Sequence, residues 1–113
     1  MTVKQFILLL FIGIVWCKND NSLILDESFY DNGNKKHQRY YKDGKAHGKW
    51  IHYYETGNIW TEGNYNYGIQ EDLWISYYEN GNIWIEGNYK NDQRNGKWFF
   101  YNDDGTIYEE KEY

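Results

Sequence analysis

The 113-residue chain has no proline and a single cysteine. The first absence excludes a Pro-rich linker. The second excludes an internal disulfide framework and a cysteine-based zinc site. Positive charge is also short, with 12 Lys and Arg against 17 Asp and Glu, a formal net charge of −5. A general nucleic-acid binder needs a broad basic face, so nucleic acid is not an expected partner. No apolar run is long enough to span a bilayer comfortably. The longest, Phe6–Cys17, has 12 residues, where a spanning helix needs about 20. Aliphatic residues are scarce too: from residue 17 onward Leu, Ile, Val and Phe number only 14. Taken alone, that share describes a disordered chain.

Aromatic rings point the other way, to an ordered domain. The chain has 6 Trp, 13 Tyr and 5 Phe, and each ring can bury roughly 150–250 Å². The length allows one small domain, and a domain so poor in aliphatics must be held by stacked Trp and Tyr. In a single-layer sheet those rings cannot all be buried, so some face water or a partner.

The first 17 residues read as an apolar targeting helix: Lys4 precedes the run Phe6–Cys17, and the polar stretch Lys18–Ser22 follows abruptly. This is the pattern of a secretory leader. Cys17 closes the run as in a bacterial lipobox, with Ile14 and Val15 suited to it and Trp16 in place of the usual small residue. Lipidation of Cys17 is the leading expectation. Ordinary cleavage after Cys17 and an uncleaved signal anchor are the alternatives. Residues 18–28 read as a polar linker.

Beyond the linker the chain repeats with a period of 24 residues. Trp50, Trp74 and Trp98 keep that spacing, as do Gly33, Gly57, Gly81 and Gly105. The segments 50–65 and 74–89 differ only at His52/Ser76, Thr56/Asn80 and Thr61/Ile85. Units fall at about 29–49, 50–73, 74–97 and 98–113, with a degenerate first copy, as terminal units of repeat arrays usually are. Each unit reads as two Trp/Tyr/Ile-rich strands joined by an Asn-Gly turn. The expected fold is all-β, an extended antiparallel meander of seven or eight strands. A two-residue turn centred on Asn80–Gly81 would set Tyr78 opposite Ile83, Ser76 opposite Ile85 and Trp74 opposite Gly87. Trp74 would then cover Gly87, and Trp50 would cover Gly63.

The pattern G-x-W-x-x-Y-Y-x-x-G followed by I-W-x-E-G-x-Y resembles the MORN repeat variant. Such repeats occur in bacterial proteins similar to the YwqK-type antitoxin component. Here the pattern is carried by Gly48, Trp50, Tyr53, Tyr54, Gly57, Glu62, Gly63 and Tyr65, and it recurs twice at the repeat spacing. It departs at Asp72, where the pattern has Gly, and through much of 29–47. The resemblance implies a single twisted sheet and a binding or scaffolding role. It also implies a protein partner, with a cognate toxin as one form of it. Relatives linked to membranes make a membrane-facing role a further analogy.

For catalysis the residues offer little. Past Cys17 the only serines are Ser22, Ser28 and Ser76, so nucleophiles are few. His37, His47 and His52 can be read as ligands or acid/base groups, or as polar residues of the degenerate unit; the latter is favoured and no metal is expected. Glu62, Glu86 and Glu110 can form a carboxylate column, or can solvate one face and accept bonds from Tyr; again the structural reading is favoured. Neither an enzyme nor a cofactor is expected.

Charge is uneven along the chain. Lys35, Lys36, Arg39, Lys42, Lys45 and Lys49 give residues 35–49 a local +5, whereas residues 50–113 carry 4 basic and 12 acidic groups. The basic stretch is a candidate patch for anionic lipid. Candidate contact residues for a partner are Trp60, Trp84, Tyr53, Tyr77, Glu62 and Glu86. The leading reading is an exported, lipid-anchored protein of the cell envelope that binds another protein through an aromatic β-surface. A cell-wall glycan binder and a phospholipid-binding module are the alternatives.

Overall fold

The computed structural model describes residues 22–113. The expected leader helix and Cys17 lie outside the described residues. Eight strands run in chain order: β1 (Ile24–Phe29), β2 (Lys35–Lys42), β3 (Lys45–Tyr53), β4 (Ile59–Asn66), β5 (Ile69–Tyr77), β6 (Ile83–Lys90), β7 (Gln93–Tyr101) and β8 (Ile107–Glu112). They form one sheet in which each strand neighbours the next, and every pair is antiparallel. The described residues contain no helix. The described residues span 67 × 36 × 11 Å. Two packed sheets already need about 10 Å between their mid-planes, so the 11 Å dimension holds one layer only. The sheet starts earlier than the repeat, because β1 occupies part of the stretch read as linker.

Hairpins alternate between two turn designs. At one end Asp43–Gly44, Tyr67–Gly68 and Asn91–Asp92 all have positive φ. Two consecutive left-handed residues make the tight turn whose twist suits a hairpin. At the other end the Tyr78 N–H donates to Asn82 O at 2.8 Å and the Gly81 N–H to Tyr78 O at 2.9 Å. The loop is therefore the three residues Glu79, Asn80 and Gly81, with Gly81 left-handed at φ +93°. Identical bonds close the turns at Tyr30–Asn34 and Tyr54–Asn58.

This loop corrects the expected register. Tyr77, not Tyr78, pairs with Ile83, while Ser76–Ile85 and Trp74–Gly87 pair as expected. One strand has an extra residue between those pairs, and it is Trp84. The same arithmetic leaves Trp60 unpaired between Thr61–His52 and Ile59–Tyr53. Lys36 and Tyr108 occupy the corresponding places in the first and last hairpins. Each unit thus has a β-bulge at one fixed repeat position, a device that re-aims a side chain.

Directly opposed residues share a face. One face bears a row of rings across the strands: Trp50, Tyr65, Trp74, Tyr89, Trp98 and Tyr113. Successive centroids are 4.8 to 6.2 Å apart, with ring planes inclined between 61° and 87°. Edge-to-face geometry of this kind is favoured by the ring quadrupole. Beneath the indoles lie glycines, but not those expected. Trp74 rests on Gly63 and Trp98 on Gly87, each indole covering the strand before its own. Each indole N–H also points back, Trp74 Nε1 to Asn64 O at 3.2 Å and Trp98 Nε1 to Asn88 O at 3.1 Å. In the degenerate first unit Arg39 stands where Gly63 and Gly87 recur, and its guanidinium lies 5.2 Å from the Trp50 ring. The opposite face carries the row Gln38, Ile51, Glu62, Ile75, Glu86, Phe99 and Glu110, each paired with the next. Among the described residues Ile51 and Trp98 are the buried hydrophobic side chains.

Asp72, the departure from the repeat pattern, has φ +63°, close to the +74° of Gly96 at the equivalent place. The backbone keeps its repeat shape there without glycine. Left-handed geometry is strained for most side chains but least so for Asn and Asp.

Candidate functional site

The two bulge tryptophans stand apart from the row of rings. Trp60 and Trp84 are 44% and 41% exposed, whereas Trp98 is 3% exposed. A tyrosine flanks each one, Tyr54 at 6.1 Å from Trp60 and Tyr78 at 6.0 Å from Trp84 between ring centroids. Those tyrosines are fixed by the next unit: the Tyr54 hydroxyl donates to Tyr77 O at 2.6 Å and that of Tyr78 to Tyr101 O at 2.7 Å. Tyr30 does the same to Tyr53 O at 2.6 Å. Asn34, Asn58 and Asn82 extend the pattern by donating to the carbonyls of Glu55, Glu79 and Asp103. Successive turns are therefore stitched together by one Tyr and one or two Asn per unit, Asn32 and Asn80 joining Asn34 and Asn82. In the sequence these stitches show as Tyr and Asn at the repeat spacing, but period alone does not say which groups they meet.

Beside Trp60 the turns enclose an open groove of about 520 Å³, lined by Tyr30, Tyr53, Tyr54, Glu55, Thr56, Trp60 and Glu79. It joins two of the expected contact residues, Trp60 and Tyr53. Glu62, Glu86 and Tyr77 do not line it. The Tyr77 hydroxyl donates to Glu62 Oε2 at 2.7 Å, and Glu62 Oε1 is 3.5 Å from Lys49 Nζ. Burial and this carboxylate together push the Tyr77 hydroxyl up to about 12. The recurrent glutamate thus serves as an acceptor for the following unit's tyrosine. The proton held on Tyr77 in the folded state favours folding below pH ~10, the tyrosine's unfolded value. That contribution fades as pH rises from there through about 12. Ultraviolet difference titration of wild type and Tyr77→Phe at pH 11 should show one tyrosine fewer resisting ionisation in the variant. Equal amplitudes per remaining tyrosine would contradict the Glu62 bond.

Part of the basic segment is engaged in cross-strand pairs. Lys35 Nζ is 2.8 Å from Glu27 Oε2, and Arg39 Nη2 is 2.7 Å from Asp26 Oδ2. Lys42 lies over the Tyr67 ring at 5.9 Å and Lys36 over the Tyr30 ring at 5.4 Å, leaving Lys45 as an exposed residue beside its turn. Asp26 and Glu27 precede the segment, so a local charge count over 35–49 passes over them. The same strand pair holds a hydroxyl–imidazole–carboxylate chain that sequence reasoning missed. Ser28 Oγ is 2.9 Å from His37 Nδ1, and His37 Nε2 is 3.1 Å from Asp26 Oδ2. Arg39 takes the same Asp26 oxygen through Nε at 3.1 Å as well. Its hydrogen bond holds the Asp26 carboxyl below the usual range. A carboxylate so engaged has little basicity left for the imidazole, and the chain reads as a clasp that ties edge strand β1 to β2. Strand alternation of Asp26 and Ser28 is the signal for it, hidden when the two are assigned to a linker. His52 lies 5.8 Å from His37 between ring centroids, and burial lowers its pKa, helped by the Arg39 and His37 charges. His47 is separate, with its Nδ1 accepting from the Tyr67 N–H at 3.1 Å. Among the described residues no group of three His, Cys, Asp or Glu side chains is placed to hold a metal ion.

The model of the family described as MORN repeat variant matches residues 46–67, 73–91 and 94–113, together more than half of the chain. The match begins at the end of the degenerate first unit and falls mainly on the three later ones. No curated protein and no solved structure matches the chain.

Proposed function

The chain belongs to the MORN repeat variant family, and from that premise we propose that it is a non-enzymatic binding and scaffold protein whose partner is another protein. The contact is made at the turn edge by Trp60 and Trp84. The observation that supports this reading is the repeated bulge. In each of the last three hairpins with this turn it takes one large ring out of the ladder, Trp60, Trp84 or Tyr108, and leaves it more than two-fifths exposed. Large aromatic side chains held rigidly at a surface are the usual anchors of protein contacts. Export with lipidation at Cys17 belongs to the same proposal, as does an antitoxin-like role of the YwqK type against a cognate toxin. The motive for the first is the apolar run Phe6–Cys17, and for the second the repeat resemblance.

Affinity capture from the native host, with mass spectrometry, tests the contact. A protein captured by the wild type should be lost with Trp60→Ala/Trp84→Ala, at a cost of about 2 kcal/mol or more in affinity. The variant should keep its far-ultraviolet circular dichroism. Equal capture by both chains would rule out these rings as the anchor. Mass measurement of the N-terminal peptide decides the fate of Cys17, since an unmodified, uncleaved peptide would remove the anchoring part.

A further inference from the structure

We propose that the groove beside Trp60 is a cage for an alkylammonium group, formed by the rings of Tyr30, Tyr54 and Trp60 and by the carboxylates of Glu55 and Glu79. The proposal deepens the binding reading above and rests on it for the identity of the surface. Three observations lead here. First, the hydroxyls of Tyr30 and Tyr54 are already committed to the carbonyls of Tyr53 and Tyr77. What the groove gets from these two residues is ring surface, whose negative quadrupole face attracts cations. Second, Glu55 and Glu79 are exposed, and neither carboxylate has an ion-pair partner among the described residues. Glu79 acts on the site, since after burial its charge is the cause that raises the Tyr54 hydroxyl. Third, the chain supplies its own example: Lys36 occupies in the first unit the bulge position that Trp60 fills in the second, and its ammonium lies 5.4 Å from the Tyr30 centroid.

The alternatives fit the groove less well. An anion would face two like charges. A neutral flat ring could stack on the aromatic faces but would leave both carboxylates unused. The volume of about 520 Å³ admits a trimethylammonium group or the end of a lysine side chain. Both share one chemistry, a cation on a short apolar chain.

The test uses the full chain, labelled for two-dimensional nitrogen–proton spectroscopy, with ionic strength matched by sodium chloride. Choline and n-butylammonium are titrated against 3,3-dimethylbutan-1-ol, the neutral isostere of choline. The Trp60 indole signal should shift saturably with at least one cation, about tenfold more tightly than with the alcohol. Glu55→Gln/Glu79→Gln should weaken the cation at least fivefold while the Trp98 indole signal stays in place and reports the fold. Tighter choline binding points to a quaternary headgroup as the natural ligand, and tighter butylammonium to a partner's lysine. An alcohol as tight as the cations, no saturable shift at Trp60, or full binding by the double glutamine variant would overturn the cage. Partner capture that needs Trp60 while the cations do nothing would sink the cage alone. Cation binding with capture unaffected by Trp60→Ala/Trp84→Ala would sink the protein-contact reading alone.

Discussion

Gly87→Ala is expected to cost the sheet about 3 kcal/mol, at the upper end of what overpacking does. Ordinary propensity argues the other way, since alanine within a strand is roughly 0.5–1 kcal/mol better than glycine. Packing decides. A Cβ on Gly87 would sit 2.1 Å from Trp98 Cδ2, 2.3 Å from Cε2 and 2.4 Å from Cγ. The indole has nowhere to retreat. Its Nε1 donates to Asn88 O at 3.1 Å, the Tyr89 ring stands edge-on at 5.1 Å, and the Arg94 guanidinium lies 4.3 Å above it. Gly63→Ala meets Trp74 at 2.0 Å and should behave alike. Gly81→Ala is the comparison. Nothing lies within 4 Å of its Cβ position, and only its φ of +93° resists, a cost of about 1–2 kcal/mol. Urea denaturation followed by circular dichroism orders the three. If Gly87→Ala were as stable as wild type, the indole would not lie on that backbone.

The repeat is legible in the sequence because a 24-residue period survives in residue type, and strand count and antiparallel order follow from it. Register is only half legible. The Asn-Gly signal marks a turn but does not fix its length, and Glu79 joins the loop where two residues are expected. The bulge at Trp84 then restores the pairing of Ser76 with Ile85. Because the slip and its repair nearly cancel, the Trp74–Gly87 pairing can be read from the sequence while the ring over Gly87 cannot. A ring's lean across strands depends on the neighbouring unit: opposite Gly63 the register shifts between Glu62–Ile75 and Asn64–Glu71, and Trp74 lies over Gly63 there. Cross-strand pairing shows the same limit: that Asp26 and Glu27 meet Arg39 and Lys35 is not visible from the adjacent charges alone. In the candidate groove, Trp60 and Tyr53 are expected from the sequence, whereas Tyr30 and Glu79 come from flanking units that only the folded turn edge brings together.

Two sets of tryptophans recur at the same spacing, and only one of them holds the fold. Trp98→Ala should lose about 3–5 kcal/mol, whereas Trp84→Ala should lose about 1 kcal/mol or less. A small domain has only about 5–15 kcal/mol of stability in total, so the first change alone can leave the sheet partly unfolded at ambient temperature. The difference follows from exposure, 3% against 41%. It is sharpened by what Trp98 organises: Arg94 lies over its ring and donates to the Tyr113 hydroxyl at 2.7 Å, and the Tyr113 N–H donates to Gly96 O at 2.9 Å. Losing the indole therefore loosens the last hairpin before it reaches the rest. In a single layer each strand touches only its neighbours, so damage spreads by nearest-neighbour steps. Amide exchange in Trp98→Ala should accelerate first in β7 and β8, then in β6, with β3 and β4 protected longest. Uniform loss of protection along the sheet would mean that the units are bound by something other than this row of rings.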